Sequence, residues 1–345
     1  MRAARIHEYG PPDVFRVEEV PPPVLRPRDV LVEVRGSSVN PVDYKIRFGG
    51  QRALIHYRLP WILGLDFSGV VTAVGEKVTR FAVGDEVYGS PTHRRPGCYA
   101  QQVAIDERQA ARKPRNLTHH EAATIPLVGL TAWGALVVQG RLKAGDKALI
   151  HAGSGGVGTF AIQLAKALGA HVATTCSARN ESLVRSVGAD EVIDYRTQKF
   201  EEILEDYDYV LDAIGGETRE RSFRVLRRGG RLATMIGGFP AAAKKHGPAL
   251  GALVALGGLV SLSLRGPLIH GVSIHHVLRD SDARLLDPIT ALIEAGKIRP
   301  VIDRVLPLDA IAEAHRYIET GRARGKIVID PWPEPAPTPP APEEE

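Results

Sequence analysis

The sequence predicts an α/β protein made of two parts, a β-rich part followed by a doubly wound parallel sheet. Residues 1–125 contain short β-prone runs separated by Gly and Pro turns, which is typical of a barrel-like or sandwich-like domain. From about residue 118 onward, short apolar strands alternate with helical stretches. The chain has 345 residues, of which 44% are hydrophobic, and this is enough material for two cores.

In the first part, residues 30–35 alternate apolar and polar side chains, as a half-buried strand does. Residues 69–75 and 84–89 are short β-prone runs bounded by glycines. Prolines recur near the N-terminus and oppose long helices there. In the second part, the predicted strands are 147–151, 171–175, 191–194, 209–212 and 231–236, with helices at 156–168 and 181–187.

Three boundaries follow from these patterns. We expect a β-rich domain at residues 1–125 and a nucleotide-binding type of sheet at 126–275. Residues 276–330 hold two helical stretches and a strand at 326–329, and we expect them to rejoin the first domain. Residues 331–345 are rich in Pro and Glu and predict a disordered acidic tail.

The strongest chemical signal is a glycine-rich loop between a predicted strand and a predicted helix. Its residues are Gly153, Ser154, Gly155, Gly156, Val157 and Gly158. This G-x-G-x-x-G pattern in a strand–turn–helix setting is typical of a Rossmann dinucleotide site, where backbone N–H groups at the helix start receive the pyrophosphate. The alternative is a Gly-rich turn that binds nothing.

The end of the second strand in this unit indicates which dinucleotide is bound. NAD sites commonly have Asp or Glu there, to bind the ribose 2′-hydroxyl. This chain has no acid there and has Ser177 and Arg179 instead, which can bind a 2′-phosphate. We therefore predict NADPH rather than NADH. The alternative is that Arg179 is a solvated residue at the start of a helix.

Composition limits the other function classes. The formal net charge is +4, and the Lys and Arg residues are scattered rather than massed, so no specific nucleic-acid partner is predicted. The two cysteines, Cys98 and Cys176, are too few for a disulfide framework and fit a reducing compartment. Residues 1–10 show no apolar stretch of a secretory signal. These observations predict a cytoplasmic protein.

Residues 247–264 carry no charge and are rich in Leu, Ala and Val. The length is near the lower limit for a bilayer span, but several glycines and a proline interrupt it. We expect a buried or interface helix here and no transmembrane segment. The alternative is a surface that touches a membrane or a lipidic substrate.

Several motifs together resemble the medium-chain quinone oxidoreductases. They include SVNPVD at 38–43, GLDFSGVV at 64–71, VGDEVYG at 83–89, GLTAW at 129–133 and VGADEVIDY at 187–195, in addition to the glycine loop. The segments at 295–302 and 321–326 are similar to the subgroup that contains the reticulon-interacting mitochondrial reductase and its bacterial relatives. The matches recur in order from residue 1 to 330, and they do not reach the tail.

The resemblance implies a GroES-like catalytic domain, a Rossmann domain and a cleft between them. It implies that Tyr195 helps to hold the 2′-phosphate of the adenosine and that Thr131 lies beside the nicotinamide end. It also implies that Gly237 and Gly238 follow a strand that ends near the nicotinamide. Relatives are commonly dimers, so a homodimer is expected.

The resemblance also predicts that no metal is bound. Zinc-dependent relatives have Cys where this chain has Asn40 and Gly-His-Glu where it has Gly64, Leu65 and Asp66, so the usual ligand set is lost. The adjacent pairs His119–His120 and His275–His276 are better suited to surface or pocket positions, since neighbouring side chains rarely point the same way.

A conjugated acceptor takes hydride without a metal because it delocalises the resulting charge. The expected catalytic residues are Asn40, Asp43, Lys45 and Arg47, of which Asn40 matches a cleft residue of the family and could donate a hydrogen bond to the substrate. Lys45 stands where some quinone reductases have Tyr, and it is either a substrate contact or a solvated loop cation. Asp43 is either catalytic or a structural cap of the helix beside it.

The sequence thus predicts NADPH-dependent, zinc-independent reduction of a small hydrophobic acceptor, either a quinone or an α,β-unsaturated carbonyl. One alternative is an enoyl-thioester reductase, with Arg94, Arg95 and the basic residues of 112–115 as a rim for the carrier phosphate. The other is a non-catalytic NADPH-binding sensor or scaffold, because cofactor binding and turnover are separate properties.

Overall fold

The computed structural model describes residues 1–50, 52, 57–92, 95, 97–235, 247–277 and 279–332. Gly237 and Gly238, the tail beyond residue 332 and the end of the strand predicted at 231–236 lie outside these residues. Three β-sheets are formed in the described part of the chain.

The first part contains two of the sheets. A small sheet joins β1 (Arg2–Ile6), β2 (Phe15–Glu19) and β4 (Trp61–Ile62). The larger sheet is centred on β3 (Asp29–Val39), whose side chains at 30, 32 and 34 are buried as the alternation predicts. Its other strands in this part are β5 (Phe67–Val74), β6 (Glu86–Gly89), β7 (Gln102–Asp106) and β8 (Ala110–Arg112), and helix α1 spans Pro41–Arg47.

The second part is a six-stranded sheet. Its strands are β9 (Lys147–Ile150), β10 (His171–Cys176), β11 (Glu191–Asp194), β12 (Tyr207–Asp212), β13 (Leu226–Thr234) and β14 (Ser273–His276). They lie in the order β11-β10-β9-β12-β13-β14, and every pair is parallel. This is the doubly wound 3-2-1-4-5-6 arrangement, whose switch point lies between β9 and β12. The predicted fold class is confirmed.

Helices connect and cover the sheets. They are α2 (His119–Ala122), α3 (Pro126–Trp133), α4 (Gly156–Ala167), α5 (Glu181–Ser186), α6 (Gly216–Ser222), α7 (Pro248–Arg265), α8 (Asp287–Glu294) and α9 (Ile311–Glu319). Helix α3 packs against α4 and continues into a wider π-helical segment, Gly134–Gln139. One hydrophobic core runs through both parts of the chain, from Tyr99 in the first part to Phe160 of α4 and Ile311 of α9.

The last strands return to the first part. β16 (Lys326–Asp330) pairs antiparallel with β3 and parallel with β15 (Ile302–Pro307), so both extend the larger sheet. β14 was not predicted because Ser273–His276 contains a single aliphatic residue. β15 was not predicted either, and its side chains are at most partly buried in the structure. The domain boundaries at 125 and 275 stay a prediction.

Helix α7 forms at the charge-free stretch that the sequence singles out. Its side chains are mostly exposed: Leu253 and Leu256 are 67% and 58% exposed, whereas Leu262 is buried. By length and composition alone, Leu253–His270 is apolar enough to cross a membrane, with a mean hydropathy of 1.4, although one such helix is weak evidence for a span. The helix is therefore not buried within this chain, and the prediction of no transmembrane segment stays a prediction.

Candidate functional site

The glycine-rich loop lies between β9 and α4, as predicted. The chain turns at Ala152, which has a left-handed backbone with φ of 56°, and Gly155 occupies the position before the first residue of α4. Helix α4 therefore begins at the carboxyl edge of the sheet, directly after β9 and the loop. An anion is favoured at such a helix start because unpaired N–H groups and the helix dipole both act there.

The glycines of this loop serve different purposes. A Cβ on Gly153 would lie 2.0 Å from Thr174 Oγ1 on β10, and one on Gly158 would lie 2.3 Å from the carbonyl oxygen of Ala152. These two glycines are required by the packing of the protein itself. A Cβ on Gly155 would meet no protein atom closer than 3.4 Å. The open space beside Gly155 is a cradle that a phosphate group can fill.

A cavity of about 480 Å³ opens beside this loop. The residues that line it include five that the sequence predicts for the cofactor, namely Ser154, Gly155, Ser177, Arg179 and Tyr195. It is also lined by residues that the sequence analysis did not identify, among them His151, Asn180, Gln198, Ile214, Thr218, Arg221 and Gly321. None of the described lining residues is Asp or Glu, so the cavity suits an anionic ligand.

Asn180 is the clearest of the residues that the sequence analysis missed. Its side-chain Nδ2 donates to Ser154 Oγ at 2.8 Å, while its Oδ1 is buried without a partner in the described part of the chain. An orphaned oxygen beside the loop is ready to accept a hydrogen bond from a bound molecule. The signal in the sequence was its position directly after Arg179.

His151 lies at the carboxyl end of β9, at the base of this cavity. Its ring nitrogens contact Thr175 Oγ1 at 3.0 Å and Ser222 Oγ at 2.9 Å. Burial lowers the pKa of His151 to about 4, so the ring is neutral at pH 7. A neutral, doubly hydrogen-bonded ring fixes the strand end and adds no charge to the cavity.

A second cavity, which we call the cleft cavity, lies between the two parts of the chain and has a volume of about 800 Å³. Its lining includes Thr131, the residue expected beside the nicotinamide, whose Oγ1 donates to the carbonyl oxygen of Leu127 at 2.7 Å. Met235 and Val277 follow β13 and β14 directly, so this cavity is also at the carboxyl edge of the sheet. The other lining residues are Val42, Leu65, Thr92, Leu127, Arg279, Asp280 and Ser281.

Asn40 is fully buried in a network of polar side chains. Its Nδ2 donates to Asp66 Oδ2 at 2.8 Å, and its Oδ1 accepts from Lys326 Nζ at 2.5 Å. Asp66 also accepts from Ser38 Oγ at 2.7 Å and from the N–H of Leu127, at the start of α3, at 2.7 Å. The network therefore joins β3, α3 and β16, and both ends of the Asn40 amide have partners inside the protein.

Asp43 is also buried, in the first turn of α1. Its Oδ2 accepts from the backbone N–H of Asn40 at 2.8 Å and from the hydroxyl of Tyr99 at 2.8 Å. Desolvation raises the pKa of Asp43 to about 7, which the two hydrogen bonds only partly counteract. In this position the carboxyl group closes the first turn of the helix.

Lys45 and Arg47 lie elsewhere on the same helix. Burial lowers the pKa of the partly buried Lys45. Arg47 is fully buried and donates to Gly10 O, His315 Nδ1 and Glu319 Oε1, at 3.0, 3.0 and 2.6 Å. It thereby fastens α1 to α9. Neither residue lines the cleft cavity, which receives Val42 from this helix.

Few metal-binding side chains are present where zinc-dependent relatives have their zinc ligands, at Asn40 and at residues 64–66. Among the described residues, no group of three or more His, Cys, Asp or Glu side chains could hold one. Leu65 is a buried apolar side chain, and the ammonium of Lys326 lies between Asn40 Oδ1 and Asp66 Oδ2, at 2.5 and 3.2 Å. The cation at this place is supplied by the chain itself.

Comparison with known proteins agrees with this geometry. Residues 26–115 match the alcohol dehydrogenase GroES-like domain, and residues 187–329 match the zinc-binding dehydrogenase family. Over 96% of this chain and 89% of its own length, the mouse mitochondrial NAD(P)H oxidoreductase RTN4IP1 is 38% identical. The chain belongs to the medium-chain dehydrogenase/reductase family.

Two further members of this family are informative. The chloroplastic NADPH-dependent alkenal/one oxidoreductase of Arabidopsis thaliana is 33% identical over 96% of this chain and 80% of its own length. The solved structure of the quinone oxidoreductase from Coxiella burnetii superposes with a TM-score of 0.83 at 32% identity, covering 96% of this chain and 99% of that one. The family therefore includes reductases of both kinds of acceptor.

The prediction of a cytoplasmic location is wrong by this comparison. The mouse oxidoreductase and its zebrafish, bovine and human counterparts, which each match at least 95% of this chain, are all named mitochondrial. The two free cysteines indicated a reducing compartment, but they do not distinguish one such compartment from another.

Proposed function

We propose that this oxidoreductase reduces quinones or α,β-unsaturated carbonyls with NADPH and without zinc. The observation that carries the proposal is a pair of cavities at one edge of the parallel sheet. The first has a phosphate cradle and no acidic lining, and the second is mostly apolar and is lined by Thr131. A cofactor in the first cavity that reaches into the second would meet its acceptor there.

The residues of the first cavity fit a phosphorylated dinucleotide. The cradle at Gly155 would take the pyrophosphate, and Ser177, Arg179 and Tyr195 would surround the 2′-phosphate. The backbone of Arg179 is held in place by Arg324, whose Nη2 donates to the carbonyl oxygen of Arg179 at 3.0 Å. NADH lacks the phosphate that these residues would bind, and we therefore favour NADPH.

The second cavity fits a hydrophobic acceptor. Val42, Leu65, Leu127, Met235 and Val277 give it a largely apolar lining, which suits a hydrophobic molecule. When bound, the nicotinamide would supply hydride. The chain would hold the acceptor against it and supply hydrogen bonds to the oxygen that gains charge, while solvent supplies the proton that completes the reduction.

The predicted catalytic residues of α1 have a narrower place in this proposal. Asn40, Asp43 and Arg47 are engaged in buried contacts that hold α1 in position. We propose that they act mainly by presenting Val42 to the acceptor. For Lys45, both a contact with the substrate and a solvated position stay predictions.

We also propose a homodimer, formed through α7 and β14. No strand pairs with the outer edge of β14 in the described part of the chain, and Ser263 of α7 contacts His276 of β14 at 3.0 Å. An unpaired strand edge and an exposed apolar helix therefore form one continuous surface. Monomers rarely expose apolar patches of this kind, and a second copy related by twofold symmetry would cover both features.

The test is oxidation of NADPH by a panel of quinones, enones and enoyl thioesters, with NADH and a metal chelator as controls. Turnover of quinones or enones that prefers NADPH and ignores the chelator is the expected result. Turnover restricted to thioesters would instead establish the enoyl-thioester reductase. Tight NADPH binding without turnover of any acceptor would establish the non-catalytic alternative, and loss of activity with chelator would refute the zinc-independent chemistry.

A further inference from the structure

Arg279 is a partly buried cation in the wall of the cleft cavity. Its Nη1 donates to Ser90 O at 3.0 Å and also contacts Ser90 Oγ, and its Nη2 donates to Pro91 O at 3.0 Å. A guanidinium carries five N–H groups, and these contacts use three of them. The contacts fix the plane of the group against residues 90 and 91, while the side chain lines the cavity.

The partners of Arg279 are all neutral oxygens. Among the described residues, no carboxylate forms an ion pair with it, although most other buried or partly buried arginines in this part of the chain, such as Arg47 and Arg95, have one. Burial lowers the pKa of Arg279, and the charges of Asp66, Asp43 and Asp280 oppose that effect. A guanidinium stays charged in proteins. A fixed cation without an ion-pair partner thus lines this cavity, whose lining is largely apolar and also includes Asp280.

Two other polar side chains nearby are already occupied, whereas Thr92 and Ser281 also present hydroxyl groups to the cavity. Thr131 donates its hydroxyl to Leu127 O, and Lys326 is bound by Asn40 and Asp66. A carboxylate such as that of Asp280 accepts hydrogen bonds rather than donating them. Arg279 is therefore the positively charged side chain among the described residues that line this cavity.

We propose that Arg279 is a catalytic residue that donates an N–H hydrogen bond to the carbonyl oxygen of the acceptor. This inference rests on the proposed function. Hydride forms a new C–H bond at the β-carbon of the enone, the C=C π electrons shift toward the carbonyl, and its oxygen becomes negative. The oxyanion is held by the guanidinium until solvent protonates the α-carbon and the C=O bond re-forms. NADPH is oxidised, and the C=C bond is reduced.

The kinetic test compares Arg279→Gln and Arg279→Lys with wild type. Loss of one oxyanion donor costs about 10²-fold or more in turnover, so we expect kcat/KM for a simple enone to fall about 10²-fold in Arg279→Gln. The fall is smaller for an easily reduced quinone, because less charge stabilisation is needed there. The KM for NADPH is unchanged, and Arg279→Lys, which keeps the charge, recovers part of the loss.

A binding measurement reports the same interaction without turnover. 4-Nitrophenol resembles the charged acceptor when ionised, and its absorbance shows its ionisation state. Wild-type protein with bound NADP⁺ is expected to bind the phenolate and to lower the apparent pKa of the phenol, whereas Arg279→Gln binds it with no such shift. Arg284→Gln is the matched control, because Arg284 lies in the same segment, pairs with Asp282 and is exposed.

Two outcomes would overturn the inference. One is an equal fall in kcat/KM for enones and quinones in Arg279→Gln, with the pKa of bound phenol the same as in wild type. This result would mean that Arg279 only supports residues 90 and 91. The other is full activity of Arg279→Gln. If Arg279→Gln does not fold, the same measurements are made on Arg279→Lys. Enone kinetics equal to those of wild type, together with a bound phenol whose pKa equals that of free phenol, would then overturn the inference. A wild-type protein that reduces no acceptor would instead refute the proposed function itself.

Discussion

Lys326 Nζ lies 2.5 Å from Asn40 Oδ1, which joins two residues 286 positions apart in the chain. The residue before it, Gly325, donates its N–H to Ser154 O in the glycine loop at 2.8 Å. The start of β16 thus touches both the buried network behind the cleft and the loop that would hold the dinucleotide. It couples the two parts of the chain at the point where cofactor and acceptor would meet.

Asn40→Ala removes three side-chain hydrogen bonds, those with Asp66, Lys326 and the carbonyl oxygen of Ser38. Because Lys326 and Asp66 then keep each other as partners but lose the amide, we expect the free energy of unfolding to fall by about 1–3 kcal/mol. We expect the change in activation free energy, obtained from kcat, to be smaller than this change in the free energy of unfolding. Chemical denaturation and steady-state kinetics on the same preparation check this, and a large loss of kcat at unchanged stability would show that the amide acts on the acceptor instead.

Arg179→Ala removes the proposed charge partner of the 2′-phosphate. A hydrogen bond to a charged group contributes about 1.5–3 kcal/mol, so NADPH binding should weaken about 10-fold to 100-fold while NADH binding stays unchanged. Dissociation constants for both cofactors give the result. Arg196→Ala is the control, since Arg196 is exposed on the neighbouring loop and does not line the cavity. Equal weakening of both cofactors would contradict the assignment.

Gly155→Ala and Gly158→Ala should affect different properties, NADPH binding in the first case and stability in the second. The added Cβ at Gly158 would meet the Ala152 carbonyl oxygen at 2.3 Å, so we expect a loss of about 1–3 kcal/mol in stability. The Cβ at Gly155 meets nothing closer than 3.4 Å, so stability should change by less than about 1 kcal/mol while NADPH binding weakens. Thermal unfolding and cofactor titration separate the two, and normal NADPH binding by Gly155→Ala would place the phosphates elsewhere.

Asp43→Asn tests the raised pKa of the buried carboxyl. The folded-state pKa of about 7 lies above the ordinary value of 3.8, so folding is favoured by protonation and stability is lost as pH rises from about 4 to 7. The neutral amide avoids this loss. Relative to wild type, the variant should gain on the order of 2–3 kcal/mol between about pH 5 and pH 8, at about 1.4 kcal/mol for each pKa unit.

Urea denaturation at the two pH values measures this gain, with Asp13→Asn as the control for an exposed carboxylate. A difference between wild type and Asp43→Asn that does not depend on pH would show that Asp43 is ionised throughout this range.

Leu253→Glu together with Leu256→Glu tests the proposed dimer surface. Both side chains are more than half exposed on α7, and burying two carboxylates against a second copy is strongly unfavourable. Sedimentation should show a dimer for wild type and a monomer for the double variant. Val24→Glu is the control, because Val24 is 82% exposed and belongs to the other part of the chain. A monomeric wild type, or a dimeric double variant, would contradict the proposal.

The local features of the site could be predicted from sequence, because each depends on residues close together in the chain. The glycine loop was recognisable from its spacing between a strand and a helix. Ser177, Arg179 and Tyr195, which were predicted on separate grounds, lie around one cavity with Ser154 and Gly155. The alternation of β-prone and helical stretches gave the doubly wound sheet for the same reason.

The long-range features could not be predicted in this way. The contact of Lys326 with Asn40 depends on how β16 returns to β3, and no local pattern encodes that pairing. Arg279 lies in an irregular segment between β14 and α8, where a single Arg resembles any solvated loop residue. Its significance is visible only once the cleft cavity is formed around it.

Transfer of an isotopic label from cofactor to acceptor tests whether this protein reduces enones by hydride transfer. NADPH that carries deuterium at C4 of the nicotinamide is incubated with the protein and a simple enone, and the product is examined by mass spectrometry and NMR. We expect one deuterium at the β-carbon of the saturated ketone, transferred from one face of the nicotinamide only. Saturated ketone without deuterium, or no product despite bound NADPH, would contradict it.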